Sequence, residues 1–142
     1  MLIAGLAFGV AALGGAPGGA MPAADAASYP YCTNGIHVQT QTAKWTMPAS
    51  ANQSIACIMS TAQSGASYMS VMVIQNAMNA RFKAGLTKDG YYGSKTADAV
   101  AYHIQRPANL TQDGTYGPDT CKNTWFPTQS PKGKWARMSS CV

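Results

Sequence analysis

Acids, histidines and serines placed for catalysis are the first thing to look for in this chain, and there are few. The 142 residues hold five acids, all aspartates (Asp25, Asp89, Asp98, Asp113, Asp119), and two histidines, His37 and His103. Without glutamate there is no glutamate-based acid–base pair and no H-E-x-x-H zinc site. Neither histidine has a recognisable motif partner, Gly65-Ala66-Ser67 is not a G-x-S-x-G elbow, and no H-x-D spacing offers a metal site. The sequence therefore predicts no catalytic residue, no metal and no cofactor. Asp89 and Asp113 resemble a carboxylate pair, but they occupy equivalent positions of a repeat, and that makes both of them turn-formers.

The repeat sits in the middle of the chain. Leu86-Thr87-Lys88-Asp89-Gly90-Tyr91-Tyr92-Gly93-Ser94-Lys95-Thr96 matches Leu110-Thr111-Gln112-Asp113-Gly114-Thr115-Tyr116-Gly117-Pro118-Asp119-Thr120 at seven of eleven positions, with an offset of 24. Two copies are too few for a solenoid. They fit one folded unit that uses the same loop twice. In Asp-Gly the carboxylate accepts backbone N–H bonds and the glycine takes positive φ. Tyr92 and Tyr116 are expected as packed rings that pin each loop. Gly93 and Gly117 are expected to cap a following helix, Pro118 suits its first position, and Asp119 suits its positive end. Thr96 and Thr120 fall in the first turn, where a hydroxyl meets a free backbone group.

The elements that must position these loops follow from periodicity. Val71, Ile74, Met78 and Phe82 form one apolar stripe, predicting a helix over about 66–82 that ends near Gly85. A second helix is expected over about 94–105, with Ala97, Val100 and Ile104 inward, stopped by Pro107. A third starts at Pro118, carries Cys121 and Trp125 and ends before Pro127. Ile36–Gln41 and Lys44–Met47 are β-prone and predict a hairpin. The fold class expected is mainly α: a three-helix bundle with two repeated loops and a small disulfide-tied hairpin at its N-terminal side.

Residues 1–27 read as a secretory signal. Leu2 to Leu13 is almost wholly apolar, small residues follow, and cleavage is expected near Ala26 or Ala27. No Lys or Arg precedes the apolar run, which is too short for a membrane span. A buried Ala/Gly-rich helix is the competing reading, disfavoured by the recurring glycines. Loss of Asp25 would take the formal charge from +5 to +6. Cys32, Cys57, Cys121 and Cys141 all lie beyond this segment and none forms C-x-x-C. Four cysteines allow three pairings, and sequence alone does not choose among them. Cys32–Cys57 with Cys121–Cys141 is the expected pairing, because it closes local loops, each stabilising by about 3 kcal/mol. The segments expected are 1–27 signal, 28–60 β-prone extension, 64–126 helical domain and 127–142 basic extension.

These residues reach a known family. Val71-x-x-Ile74-Gln75-x-x-Met78-Asn79, then Gly85-Leu86-x-x-Asp89-Gly90-x-Tyr92-Gly93-x-x-Thr96-x-x-Ala99-Val100, then Gln105 and Leu110-x-x-Asp113-Gly114-x-Tyr116-Gly117-Pro118-x-Thr120 closely resemble the three-helix peptidoglycan-binding module of bacterial cell-wall hydrolases. The resemblance covers about Ser64 to Phe126. The flanks look like those of small secreted actinobacterial proteins that carry the module alone. Three departures matter, one of them Cys121 in the third helix. Thr96 to Gln105 spans nine residues where eight is usual, and one extra residue turns a helix face by about 100°. That predicts a shifted or bulged second helix, with His103 or Ile104 in place of the usual aromatic. Asn109 stands where glycine is usual, and asparagine tolerates the left-handed region.

The resemblance implies binding without chemistry, to peptidoglycan glycan or its stem peptide, in a secreted or wall-associated protein. A cell-wall hydrolase acting in trans is the other implied partner. A positive exported domain is drawn to anionic walls, a pull that salt weakens. Tyr91, Tyr102, Trp125 and Trp135 are candidate faces for sugar rings, and Gln75, Asn79 and Arg106 candidate hydrogen-bonding groups. Each has a bland alternative. Gln75 and Asn79 can simply hold the neighbouring loop, Trp125 can be core, and Lys132, Lys134 and Arg137 can be a solvated tail. The enzymes that carry this module have a separate catalytic domain, and few residues follow Phe126. Nucleic acid is not an expected partner, since no groove-reading motif is present and charge density is low. A second reading is a secreted protein-interaction module, either a hydrolase inhibitor or an assembly subunit, reusing the same fold.

Overall fold

Strand β1 (Cys32–Gln39) and strand β2 (Lys44–Ser50) pair antiparallel, with Val38 opposite Trp45 and Ile36 opposite Met47. The turn between them closes on Thr40, whose N–H reaches Ala43 O at 2.8 Å and whose hydroxyl accepts from the Ala43 N–H at 3.1 Å. Side chains alternate along β2, so Trp45, Met47 and Ala49 face inward. The computed structural model describes residues 29–63, 65–131 and 133–142; the expected signal segment and Lys132 lie outside the described residues.

Helix α1 (Met69–Phe82) lies across both strands. It buries Val71, Ile74 and Met78, the predicted stripe, while Phe82 at the end of that stripe is 36% exposed. The helix stops at Lys83, which takes φ 54° and returns its N–H to Asn79 O at 2.9 Å. Helix α2 (Ser94–Val100) runs directly into a π-helical turn over Ala101–Gln105. The Arg106 N–H bonds Ala101 O at 2.9 Å and the Leu110 N–H bonds Gln105 O at 2.9 Å. The surplus residue between Thr96 and Gln105 is taken up in this widened turn, and Asn109 beyond it adopts φ 56°.

Helix α3 (Pro118–Lys122) begins with Pro118 at the first position after Gly117 and lasts only five residues. Polar side chains end it. Asn123 Nδ2 donates to Asp119 O at 2.9 Å and Thr124 Oγ1 to Thr120 O at 2.7 Å, competing with further helical bonds. Trp125 therefore lies outside the helix. Strand β3 (Phe126–Pro127) pairs with β4 (Trp135–Ala136), and the loop between them is stitched to the hairpin by a Gln129 N–H to Lys44 O bond of 2.7 Å. Disulfides join Cys32 to Cys57 and Cys121 to Cys141, the expected pairing, and no described cysteine is free.

The expected mainly α three-helix bundle is overturned. The described residues hold three short helices and two small antiparallel sheets, a mixed α and β unit. The hairpin is no appendage. Trp45, Met47 and Met59 share one apolar cluster with Val71, Ile74, Met78, Val100, Ile104, Tyr116 and Phe126. Met59 and Tyr116 also exchange backbone bonds of 2.8 and 2.9 Å across that cluster. Buried Ser70 and Gln63 both donate to Cys32 O at 2.7 Å, fixing α1 and the connecting loop to the first disulfide. Local helical period could be read from sequence. That two β-rich flanks complete the core could not, because their partners are distant in the chain.

Candidate functional site

The two repeated loops are organised by two glutamines. Gln75 comes from α1 and is 1% exposed. Its Nε2 donates to Asp89 Oδ1 at 3.0 Å, Tyr91 O at 3.1 Å and Thr96 Oγ1 at 3.3 Å, and its Oε1 accepts the Gly90 N–H at 3.1 Å. Gln105 comes from the end of the π-turn and is 2% exposed. Its Nε2 donates to Asp113 Oδ1 at 2.8 Å, Thr115 O at 2.9 Å and Thr120 Oγ1 at 3.3 Å, while Oε1 accepts the Gly114 N–H at 2.9 Å. The networks are equivalent bond for bond. In each, the aspartate also accepts the N–H two residues on, from Tyr91 at 3.0 Å and from Thr115 at 2.8 Å. Asp89 and Asp113 thus serve separate turns. Hydrogen bonds from the Gln75 amide and the Tyr91 N–H hold the Asp89 carboxyl below its ordinary value of 3.8.

The remaining loop residues are also built in. Gly90 and Gly114 take φ 78° and 70°, and a side chain on Gly114 would meet Ala97 O at 2.9 Å. Gly93 and Gly117 precede α2 and α3 as their caps. The Tyr92 hydroxyl donates to Gly114 O at 2.7 Å, tying the first loop to the second. Tyr116 is fully buried and its hydroxyl has no partner among the described residues. Burial drives the ionisation of both phenols far above the usual tyrosine range. Asn79 acts as a backbone mimic: Nδ2 donates to Leu86 O at 2.7 Å and Oδ1 accepts the Leu86 N–H at 2.8 Å. Gln75 and Asn79 are engaged with the adjoining loop.

Tyr102 and Arg106 come together elsewhere, on the π-turn. With Phe82, His103 and Pro107 they line a shallow open cleft of about 430 Å³. His103 stacks on Phe82 with ring centroids 4.7 Å apart at 14°, and Tyr102 meets His103 edge-on at 4.9 Å. The Arg106 guanidinium lies 5.3 Å from the Tyr102 ring centre. Tyr102 is 59% exposed. Tyr91, at 49%, is exposed but does not line this cleft. Beyond Phe82 the aromatic surface continues. The Arg81 guanidinium lies 5.7, 5.2 and 5.1 Å from the rings of Phe82, Trp125 and Trp135, and Arg137 lies 4.9 Å from Trp125. Sequence reading missed Arg81 and Phe82 as surface groups, because periodicity assigned Phe82 to the core. The alternation of Trp135 and Arg137 was the legible signal for the far end of the strip.

These positions bear on chemistry. His37 Nδ1 contacts Thr46 Oγ1 at 3.0 Å on the hairpin, remote in sequence from ring-stacked His103. Among the described residues no three His, Cys, Asp or Glu side chains gather as a metal site would require. The exposed groups offered together are ring faces and guanidinium edges, which suit a ligand carrying both flat apolar faces and oxygen acceptors.

Residues 69–122 match the family "Putative peptidoglycan binding domain". This stretch is similar to peptidoglycan-binding modules. The module's limits coincide with the first residue of α1 and the last of α3. Both glutamine networks fall inside it, as do Arg81, Phe82, Tyr102, His103 and Arg106. The hairpin, Trp125, Trp135 and Arg137 lie outside. No curated protein and no solved structure matches the chain. The two disulfides are consistent with an extracellular or wall location, and no described helix is long and apolar enough to cross a membrane.

Proposed function

We propose that this chain is a secreted, non-catalytic cell-wall protein that binds peptidoglycan through the cleft on its π-turn. The observation that carries the reading is the pairing of exposed Tyr102 with Arg106 beside the Phe82–His103 stack, within the matched module. A sugar ring can lie on the Tyr102 face while the Arg106 edge meets a hydroxyl, an amide carbonyl or a carboxylate. Tyr102 and Arg106 are retained as contact residues. The amides of Gln75 and Asn79 support the loops, so their part in binding is indirect. Tyr91 stands as a separate exposed face. The formal charge of +5, or +6 after loss of the leader, supports long-range attraction to anionic walls.

Sedimentation with purified insoluble peptidoglycan tests this. The chain is expected to pellet at low salt, and Tyr102→Ala to weaken binding about fivefold, the scale of a lost ring contact. Absence of sedimentation at low salt overturns the proposal in favour of a module that meets a protein partner.

A further inference from the structure

The geometry points to a second ligand subsite, built jointly by the module and the C-terminal segment, that recognises an oxyanion on a wall polymer. It rests on the wall-binding reading above and extends it to Arg81, Trp125, Trp135 and Arg137. The chain has three arginines, and each lies over an aromatic ring: Arg81 between Phe82, Trp125 and Trp135, Arg137 over Trp125, and Arg106 over Tyr102. None pairs with a carboxylate among the described residues. The ion pair found among the described residues joins Lys122 to Asp119 at 2.7 Å. Stacking orients a guanidinium by its face and leaves its N–H edge available, and that edge matches a carboxylate or phosphate with two parallel bonds. Arg81 and Arg137 both contact the Trp125 ring, so two such edges lie beside one indole. Exposed Arg81 and Arg137 flank half-buried Trp125 and Trp135, giving a cationic margin to an aromatic platform.

The C-terminal segment is held in place for this. Cys141 is bonded to Cys121 within α3, β4 pairs with β3, and Thr128 N–H and hydroxyl both bond Lys134 O, at 2.9 and 2.6 Å. Trp135 is thereby held against Arg81 at the end of α1 and Arg137 against Trp125, though neither Trp135 nor Arg137 belongs to the matched module. The ligand chemistry is an anionic group on a sugar-bearing polymer. Its source is either the free carboxylates of peptidoglycan or the phosphodiesters of attached wall polymers.

The test uses the full chain with three insoluble preparations: whole walls, walls stripped of phosphate polymers with hydrofluoric acid, and stripped walls with their carboxylates amidated. Arg81→Gln/Arg137→Gln is expected to lose about tenfold in affinity for the anion-bearing preparation, as expected for lost charge-assisted bonds. Arg81→Lys/Arg137→Lys, which keeps the charge but not the planar fork, is expected to lose several-fold. A charge-matched control at exposed lysines, Lys88→Gln/Lys95→Gln, is expected to change binding less than about twofold. Whichever treatment first brings wild type down to the level of the glutamine variant names the oxyanion. Equal binding by wild type and both arginine variants overturns the subsite while leaving wall binding intact. So does an equal loss in the lysine control, which would make the effect diffuse charge. If wild type pellets with none of the preparations, the wall-binding reading falls and takes the subsite with it.

Discussion

At the residue scale, the side-chain amides of Gln75 and Gln105 do what a strand partner would do elsewhere: each satisfies a buried glycine N–H and a carbonyl while holding an aspartate in its turn. Amide chemistry is required, because one end must donate and the other accept. Gln105→Leu is expected to cost about 2–3 kcal/mol in urea unfolding, since it leaves the Gly114 N–H buried and unpaired. Gln105→Glu is expected to be worse at neutral pH, with a carboxylate replacing the donor that faces Asp113 Oδ1 at 2.8 Å. Asp89 adds a pH dependence of definite sign. Its folded value is depressed below 3.8, so its contribution is complete above that value and fades as pH falls through the lower folded one. The stability gap between wild type and Asp89→Asn, measured by urea unfolding, is expected at neutral pH and to narrow as pH falls below 3.8.

Elements matter here mainly through where they stop. α1 ends so that Arg81 and Phe82 reach the surface, and α3 is cut short by Asn123 and Thr124, which sets Trp125 free of the helix. The π-turn is the most consequential. By widening one turn it accommodates an extra residue and still delivers Gln105 to its loop, while turning Tyr102 outward. π-turns of this kind are often found at functional sites. Deleting Tyr102 is expected to restore a regular α-turn. The Gly114 amide should stay protected from hydrogen exchange, because its bond to Gln105 survives, while binding to insoluble peptidoglycan drops. Loss of Gly114 protection would mean the widened turn is needed for the loop itself.

For the whole molecule, the hairpin, the helical module and the C-terminal segment form one cooperative core, stapled at both ends. The disulfides close sequence separations of 25 and 20 residues, each worth about 3 kcal/mol by chain entropy. Replacing Cys121 and Cys141 together by serine is expected to lower unfolding stability by that amount. It should also change the fluorescence of Trp125 and Trp135 as the C-terminal segment loosens. Protection at Gly90 and Gly114 should persist, since the glutamine networks do not depend on that bridge.

Much of the local architecture was legible in the residues. The Asp-Gly turns, the glycine caps, Pro118 at a helix start, the buried stripe of α1 and the left-handed Asn109 all depend on neighbours within a few positions, so composition and spacing are enough to read them. The extra residue before Gln105 was visible too, as a predicted bulge. The mixed fold and the aromatic–arginine strip were not. Arg81 and Arg137 lie more than fifty residues apart and meet the same indole through a disulfide, a two-residue strand pair and a backbone bond to the hairpin. Sequence by itself determined the Asp-Gly turns within the loops, because their bonds span two residues, whereas the glutamines that hold those turns reach them from other elements. Only the tertiary structure decided which surface the loops present, because burial and cross-chain pairing act between segments whose separation no local pattern encodes.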